Sequence, residues 1–441
     1  MLKSRLCIAF FAFAVGCAPA QKPLTDYVNP MLGTATLWDS VDLGFKPTKR
    51  TWGAEVFPGS SLPNAMVQVS PVTKFHSGAG YQYEDSVIYG FTHTNKGHWN
   101  LCHIPLLPVT GTPTPGDYCS PFSHERESAA PGYYQVFLDR YGVDAQLSST
   151  LRCAFHKYTY PAGAAASLLA DLQRSNEHVR AWDIRKEGDN VFAGWQQTGE
   201  KMYFYAVANR PVTGIEPVVE GDREVRIVRF GEGDGALELR IGFSFVSEKN
   251  ARENLEAEML GKSFAEVRSE ATATWNDLLG RIRVEGGTER EKGLFYSSLY
   301  RSFLWPALRS DVNGEFTDVD GKVINPGFRY YTGPSYWDDY RNKLILLGML
   351  APDVAADVIS SDTDKGEKRG GFMPTFFHGD HASAFVAGTY LRGNRGFDVN
   401  RAYNLVLRNA TVQGPSRPWL DEYIAKGYIS EMDVENPVTG T

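Results

Sequence analysis

The sequence predicts a molecule in two parts, a β-sandwich followed by a region of helices, and three observations predict it. Between about Asp26 and Phe245, short apolar–polar alternations recur between turn residues with no helical periodicity among them. Beyond Glu248 the period changes, and Leu255, Met259, Val267, Ala271, Trp275, Leu278 and Ile282 follow at steps of mostly three or four. The length of 441 residues leaves room for both parts, at roughly 100–200 residues per domain.

Residues 1–20 read as an address rather than as structure. Lys3 and Arg5 precede an apolar run from Leu6 to Gly16, too short to span a bilayer at about 20 residues, and Ala18-Pro19-Ala20 offers a small-residue cleavage site. Gly16-Cys17 also resembles the end of a bacterial lipobox, with Ala14 where Leu is usual, so a cleaved secretory signal and a lipid anchor on Cys17 both stand open. The expected location is outside the cytoplasm, secreted, periplasmic or on the outer membrane of a bacterium. Cys102, Cys119 and Cys153 remain in the mature chain, so at most one bridge forms and one thiol is left over.

The sandwich, expected over 25–247, rests on runs at Tyr133–Leu138, Ala145–Leu151, Ala154–Tyr160, Val191–Gln196, Met202–Ala208, Val225–Phe230 and Ala236–Phe245. A linker helix is expected over 248–285. From 286 to 441 helices are expected at Arg290–Leu308, Asp338–Met349, Ala351–Ser360, His381–Leu391, Val399–Asn409 and Pro418–Lys426. Between the first two, Asn313-Gly314 and Asp320-Gly321 flank a β-rich stretch, which is hairpin chemistry because a type I′ turn needs positive φ at both centres. A calcium loop is the weaker alternative, since the terminal Glu of an EF-hand is missing.

Charge narrows the functional classes. Lys plus Arg is 45 against 52 Asp plus Glu, a net charge of −7, with no long basic run. Nucleic acid and anionic membrane are poor partners for that surface, and contact with a membrane is expected only through the N-terminal lipid.

Three clusters can carry chemistry. His93-Thr-Asn95-Lys96-Gly97-His98-Trp99-Asn100 combines imidazoles, amides and an indole able to bond hydroxyls and stack a sugar ring; the structural alternative is a loop whose Trp99 plugs the core. Ser335-Tyr336-Trp337-Asp338-Asp339-Tyr340-Arg341 sits at a helix start, where a carboxylate either caps the helix or accepts from vicinal hydroxyls beside the Trp337 wall. Gly370-Gly371-Phe372-Met373-Pro374 leads to His378-Gly379-Asp380-His381, a loop delivering polar groups to a helix top. His378, Asp380 and His381 would supply three ligands to a metal, the lesser reading of that cluster.

Several stretches together resemble glycoside hydrolase family 92, the calcium-dependent exo-acting α-mannosidases. They include Tyr27-Val28-Asn29-Pro30, Phe57-Pro58-Gly59 with Leu62-Pro63, Met66-Val67-Gln68-Val69-Ser70-Pro71, Ile88 through Thr94, Phe122-Ser123-His124-Glu125, Pro131-Gly132-Tyr133-Tyr134, Ser310-Asp311-Val312, Trp337-Asp338 with Arg341, and Gly379-Asp380-His381-Ala382. The resemblance implies a β-sandwich packed on an (α/α)6 barrel and hydrolysis of terminal α-mannosides of N-glycans or mannans with inversion. One carboxylic acid would protonate the leaving oxygen while a carboxylate activates water, the pair roughly 6.5–9.5 Å apart. Ca²⁺ would take the mannose O2 and O3 as ligands. Trp337 and Asp338 would form the terminal-mannose pocket, with Asp380 and His381 also binding substrate, and His93, His98 and Trp99 would lie near the leaving-group subsite. The ligands expected are mannose-containing oligosaccharides or glycoproteins.

Two departures from the family pattern bear on linkage preference: Pro63-Asn64-Ala65 stands where Pro-Phe-Gly is usual, and Asn95 through Asn100 replaces His-Leu-Ser-Gly-Thr-Gly. The helical segments also number about half of what six hairpins need. The barrel is therefore expected to be incomplete, with the acid, the base and the calcium ligands downstream of Thr441 and the 441-residue chain alone inactive. A non-catalytic glycan-binding surface lipoprotein and a different toroidal glycosidase are the competing readings.

Overall fold

The computed structural model describes residues 22–36, 44, 55–96, 99–375, 379–414 and 417–430. The leader and Cys17 lie outside the described residues.

Fifteen strands form two sheets. In chain order they are β1 (Ser60–Ser61), β2 (Gln68–Val72), β3 (Gly90–Thr92), β4 (Leu106–Val109), β5 (Glu127–Ala130), β6 (Tyr133–Leu138), β7 (Val143–Ser149), β8 (Cys153–Thr159), β9 (Ser167–Ala170), β10 (Ala181–Lys186), β11 (Val191–Gln197), β12 (Lys201–Ala208), β13 (Val212–Glu220), β14 (Arg223–Phe230) and β15 (Leu237–Ser244). The seven-stranded sheet runs β1-β2-β3-β4-β9-β14-β13, and the eight-stranded sheet runs β10-β11-β12-β15-β8-β7-β6-β5. The pairings are antiparallel, so period-two alternation sets what each face buries. β12 turns Met202, Phe204, Ala206 and Ala208 inward and Lys201, Tyr203, Tyr205 and Val207 outward. The inner faces interlock through aromatics: Phe91 of β3 meets Tyr134 and Tyr158 at 6.5 and 6.3 Å, and Phe192 of β11 meets Phe230 of β14 at 6.3 Å. Each such ring contributes about 1.5–3 kcal/mol by burial.

The helix expected over 248–285 is two helices, α1 (Glu248–Glu258) and α2 (Phe264–Leu279). Gly261, at φ 86°, turns the chain between them, and Ser263 with Glu266 forms a capping box that starts α2 afresh. Both clasp the outer face of the eight-stranded sheet, where Leu255, Met259, Phe264 and Val267 pack against Tyr133, Cys153 and Phe155. A Cβ at Gly242 would lie 2.1 Å from the Ala251 carbonyl, so α1 rests directly on the backbone of β15. The buried Arg152–Glu258 pair, 2.6 Å apart, ties α1 to the strand hairpin.

Among the described residues, seven further helices follow: α3 (Glu289–Ser302), α4 (Tyr336–Asp339), α5 (Lys343–Leu350), α6 (Pro352–Lys368), α7 (His381–Leu391), α8 (Val399–Thr411) and α9 (Leu420–Lys426). α3 stops short of Leu308 because Pro306 disfavours helical backbone before it. The segment expected as one helix from Asp338 breaks at Asn342, whose side chain accepts from Lys343 N at 2.6 Å and begins α5. α6 runs past Ser360 to Lys368, supported by the Asp364–Lys368 pair at 2.9 Å. α5 packs on α6 and α7, and α6 packs on α8.

The hairpin pairs Phe316 with Ile324 and Thr317 with Val323. It closes differently from expectation, since only Gly321 in its turn has positive φ, and Asn313-Gly314 belongs to a separate turn on Asp311. The Asp318 carboxylate accepts from Asp320 N and Lys322 N and pairs with Lys368 at 2.9 Å, which commits it to structure rather than to calcium. Cys102, Cys119 and Cys153 are all free thiols.

Candidate active site

The entry segment of the sandwich and the first helices of the second half meet at a cleft of about 170 Å³. The sandwich supplies Glu55, Val56 and Phe57; the end of α3 supplies Arg301, Leu304 and Trp305; α4 and its cap supply Ser335, Asp338 and Asp339; α5 supplies Lys343. These residues come from four separate stretches, so packing alone assembles the site.

Arg301 fixes the sandwich wall, donating to the carbonyls of Phe57 at 3.1 Å and Leu32 at 3.0 Å. Its burial lowers it to about 10, which leaves it a cation at neutral pH. The opposite wall is a short helix. Asp338 N and Asp339 N both donate to the Ser335 carbonyl, and their carboxylates occupy the positive end of α4. Asp339 is 9% exposed and paired with Lys343 at 3.0 Å, so it neutralises that ammonium. Ser335 lines the cleft, and its hydroxyl makes no capping bond. Trp337, next to Asp338 in the chain, is 47% exposed but is not among the residues that line the cleft, whose indole is Trp305. A hydroxyl, carboxylates, cations and an indole thus surround a space for one sugar-sized ring.

The third cluster lies against the second. The His381 ring stacks on Tyr340, centroids 4.1 Å apart. Tyr336 donates to buried Asp362 at 2.5 Å, and Asp362 pairs with Lys365 at 2.8 Å, which locks α4 onto α6. Asp380, expected to bind substrate, has a side chain only 1% exposed. It accepts from Ser383 at 2.5 Å and Asn409 at 3.2 Å, so it ties α7 to α8 instead. His378 lies outside the described residues, and among the described residues no three His, Cys, Asp or Glu side chains converge on a metal position.

The first cluster divides. His93, expected near a subsite, is fully buried between the sheets, with Nε2 3.0 Å from Nε2 of His156 and its ring 4.5 Å from Phe243. Burial lowers the His93 imidazole to about 3, and it meets no ligand there. His98 and the side chain of Trp99 lie outside the described residues. The short ribbon that pairs Lys96 with Trp99 leads to Asn100, whose N–H donates to Gly78 O. A Cβ on Gly78 would meet the Glu55 carboxylate at 2.3 Å, so this ribbon backs the sandwich wall of the cleft.

The sequence reading missed Glu55, Arg301, Trp305 and Lys343, while Asp339 stood in the cluster it singled out. One signal was present, the i,i+4 spacing of Asp339 and Lys343 across the helix break.

A sandwich clasped by helices, with a sugar-sized polar and aromatic cleft at the junction, has the architecture of a carbohydrate-active enzyme. The glycosyl hydrolase family 92 N-terminal domain matches residues 27–253, and the family's catalytic domain matches residues 250–441. The chain belongs to glycosyl hydrolase family 92. A family 92 α-mannosidase of Bacteroides thetaiotaomicron superposes with a TM-score of 0.82 at 26% identity, over 91% of this chain and 58% of that one. A family 92 inverting mannosidase of the same bacterium shares the fold, with a TM-score of 0.81 at 24% identity, over 93% and 59%. An uncharacterised secreted glycosidase of Arthroderma benhamiae is 24% identical over 94% of this chain and 56% of its own length. The chain therefore spans 56–59% of the length of these relatives.

Proposed function

We propose that this chain carries the sugar-gripping wall of an exo-acting, inverting α-mannosidase that removes terminal mannose from N-glycans or mannans. The cleft supports this reading: Asp338 and Asp339 offer acceptors, and Arg301 and Lys343 offer donors, to the hydroxyls of a sugar. Asp338 accepts from vicinal hydroxyls in the cleft, the exposed Trp337 beside it covers the apolar face of the ring from outside the lining, and the Asp339–Lys343 pair holds the helix start in place. The acid and the base, about 6.5–9.5 Å apart for inversion, belong on this reading to the part of the family's length, and of an (α/α)6 barrel, that this chain does not span.

Calcium dependence is part of the same proposal. A hard cation with roughly six to eight oxygen ligands would grip a cis-diol. The described residues do not furnish such a site, because no three His, Cys, Asp or Glu side chains converge among them, and no step is assigned to the metal here. Export is part of the same proposal, supported by the leader and by the secreted relative, with a cleaved signal or a lipid anchor on Cys17 as its two forms.

Calorimetric titration of the 441-residue chain with methyl α-mannoside, beside an assay of mannose release from an aryl α-mannoside with and without calcium, tests the reading. Saturable binding is expected, about tenfold weaker in Trp337→Ala and Asp338→Ala, with no mannose released. Equal affinity for methyl α-glucoside, or unchanged binding by Asp338→Ala, would overturn the pocket assignment. Calcium-dependent turnover by this chain would overturn the placement of the acid and base.

A further inference from the structure

We propose that the outer face of the sandwich carries a second carbohydrate site, separate from the cleft and selective for oligosaccharides that bear an anionic substituent. A groove of about 630 Å³ runs between the eight-stranded sheet and α2, and it shares no lining residue with the cleft. Its floor is a cross-strand row, for Gln135 pairs with Gln146 and Gln146 with Lys157. Neighbouring strands stand roughly 4.8 Å apart, so the row presents evenly spaced polar groups along one line. Arg268, Ser269 and Thr272 of α2 form the wall.

The floor is pre-ordered. The Tyr133 hydroxyl donates to Gln135 at 2.8 Å, and the amides of Gln135 and Gln146 donate to the two oxygens of Asp144 at 2.7 and 2.8 Å. This network holds Gln146 with its carbonyl oxygen available to an incoming hydroxyl. Amides fixed in this way bind hydroxyl-rich ligands with little further loss of rotamer freedom.

Charge sets the selectivity. The Arg268 guanidinium lies 3.6 Å from the Tyr133 ring centroid and the Lys157 ammonium 5.7 Å from that of Phe264. Among the described residues, neither cation has a carboxylate partner. The nearby acids are already engaged. Glu238, opposite Lys157 across the strands, bonds Arg240 at 3.2 Å; Glu270 pairs with Lys262 at 2.7 Å; Glu266 closes the capping box; Asp144 is held by the two amides. Two cations in no direct ion pair, beside hydroxyl-binding amides, recognise a phosphate or carboxylate carried on a sugar.

Calorimetry of the full chain with trigalacturonate, with mannotriose 6-phosphate, with neutral mannotriose and with inorganic phosphate tests the site. Excess methyl α-mannoside is present throughout to occupy the cleft, so failure of the cleft reading leaves this result unaffected. At least one anionic oligosaccharide is expected to bind about tenfold tighter than both neutral mannotriose and inorganic phosphate, and Lys157→Gln and Arg268→Gln are each expected to weaken it about tenfold. Tighter binding of the first names a carboxylate source, and of the second a phosphate source. Because Arg268 also packs on Tyr133, the half-buried Lys157→Gln variant carries the test if Arg268→Gln lowers the melting temperature. Equal affinity for the neutral sugar, inorganic phosphate binding as tightly as the oligosaccharides, or wild-type affinity in Lys157→Gln would overturn the proposal.

Discussion

Acidification from pH 7.5 to pH 5 should cost the fold about 2 kcal/mol through His93 alone. The side chain is fully buried, its Nε2 faces Nε2 of His156 at 3.0 Å, and the charged form has no solvent to receive it. Burial lowers it from 6.5 to about 3. In the unfolded chain the imidazole titrates at its ordinary value, so between those two values the unfolded state binds the extra proton. Stability therefore rises with pH across this window and is lost as pH falls below about 6.5. Each unit is worth about 1.36 kcal/mol, and pH 5 lies about one and a half units below the unfolded value. Burial shifts His156 in the same direction, so it adds to the loss. Against a typical net stability of about 5–15 kcal/mol, a loss of that size is readily measured. Urea unfolding followed by circular dichroism at pH 7.5, 6.5 and 5 measures it, with His93→Gln as the comparison. The wild type should lose about 2 kcal/mol more than the variant on acidification. Parallel curves for the two proteins would show that His93 is not held neutral in the core, and the argument would fail.

Three further outcomes follow from other sites. Gly59→Ala would bring a Cβ to 2.1 Å from the Val69 carbonyl and 2.5 Å from Ser70 Cα, so a loss of about 1–3 kcal/mol is expected; an unchanged melting temperature would contradict that close approach. Arg152→Met leaves the Glu258 carboxylate without its partner at 2.6 Å and removes a bond to Ser310 O at 2.8 Å. A loss of about 3–5 kcal/mol is expected in urea titration, with partial recovery in the Arg152→Met, Glu258→Gln double variant. Asp311 behaves in the opposite sense to His93, because burial raises it to about 6 and the folded protein keeps its proton longer than the unfolded chain does. Its contribution is complete below about 3.8 and is lost as pH rises through about 6, so Asp311→Asn should flatten that part of the stability–pH curve; an unaltered slope would count against it.

Seven strands, β6, β7, β8, β11, β12, β14 and β15, were legible because antiparallel strands in a sandwich alternate, as β12 does at every position, whereas β9, β10 and β13 do not alternate cleanly and were not read. The early strands were not, since β2 is buried at all five residues and β1 has only two, so neither offers a period to count. Helix content was legible, but helix ends were not. The breaks at Gly261 and Asn342 depend on left-handed backbone and on a side-chain cap, neither of which interrupts the apolar stripe. Of the residues at the start of α4, Asp338, which lines the cleft, was visible as a carboxylate and Trp337 beside it as an indole. Glu55, Arg301 and Trp305 could not be, since only tertiary packing brings them together. His93 misled because the run from His93 to Asn100 reads as one polar loop. Its first residue in fact lies between the sheets, close behind β3.

Several buried polar side chains hold the frame together. Glu127 is buried and accepts from Tyr81, Tyr134 and His124, the last at 2.6 Å, which knots the edge of the eight-stranded sheet. Asp380 ties α7 to α8, and Trp275 donates to Ser61 O at 2.7 Å, pinning α2 to β1. The departure at Asn64 belongs with these. Asn64 is buried at φ 52°, its N–H donates to Phe303 O at 2.6 Å, its amide donates to Pro306 O at 2.8 Å, and its carbonyl accepts from Leu308 N at 2.9 Å. These three bonds grip the chain on both sides of Trp305, a cleft residue. The family's usual phenylalanine there would adopt this left-handed backbone at higher cost than asparagine and would lose the side-chain bond. The asparagine therefore suits the backbone and gives a firmer hold on one wall of the cleft. The departure thus acts on the position of Trp305 without touching a ligand.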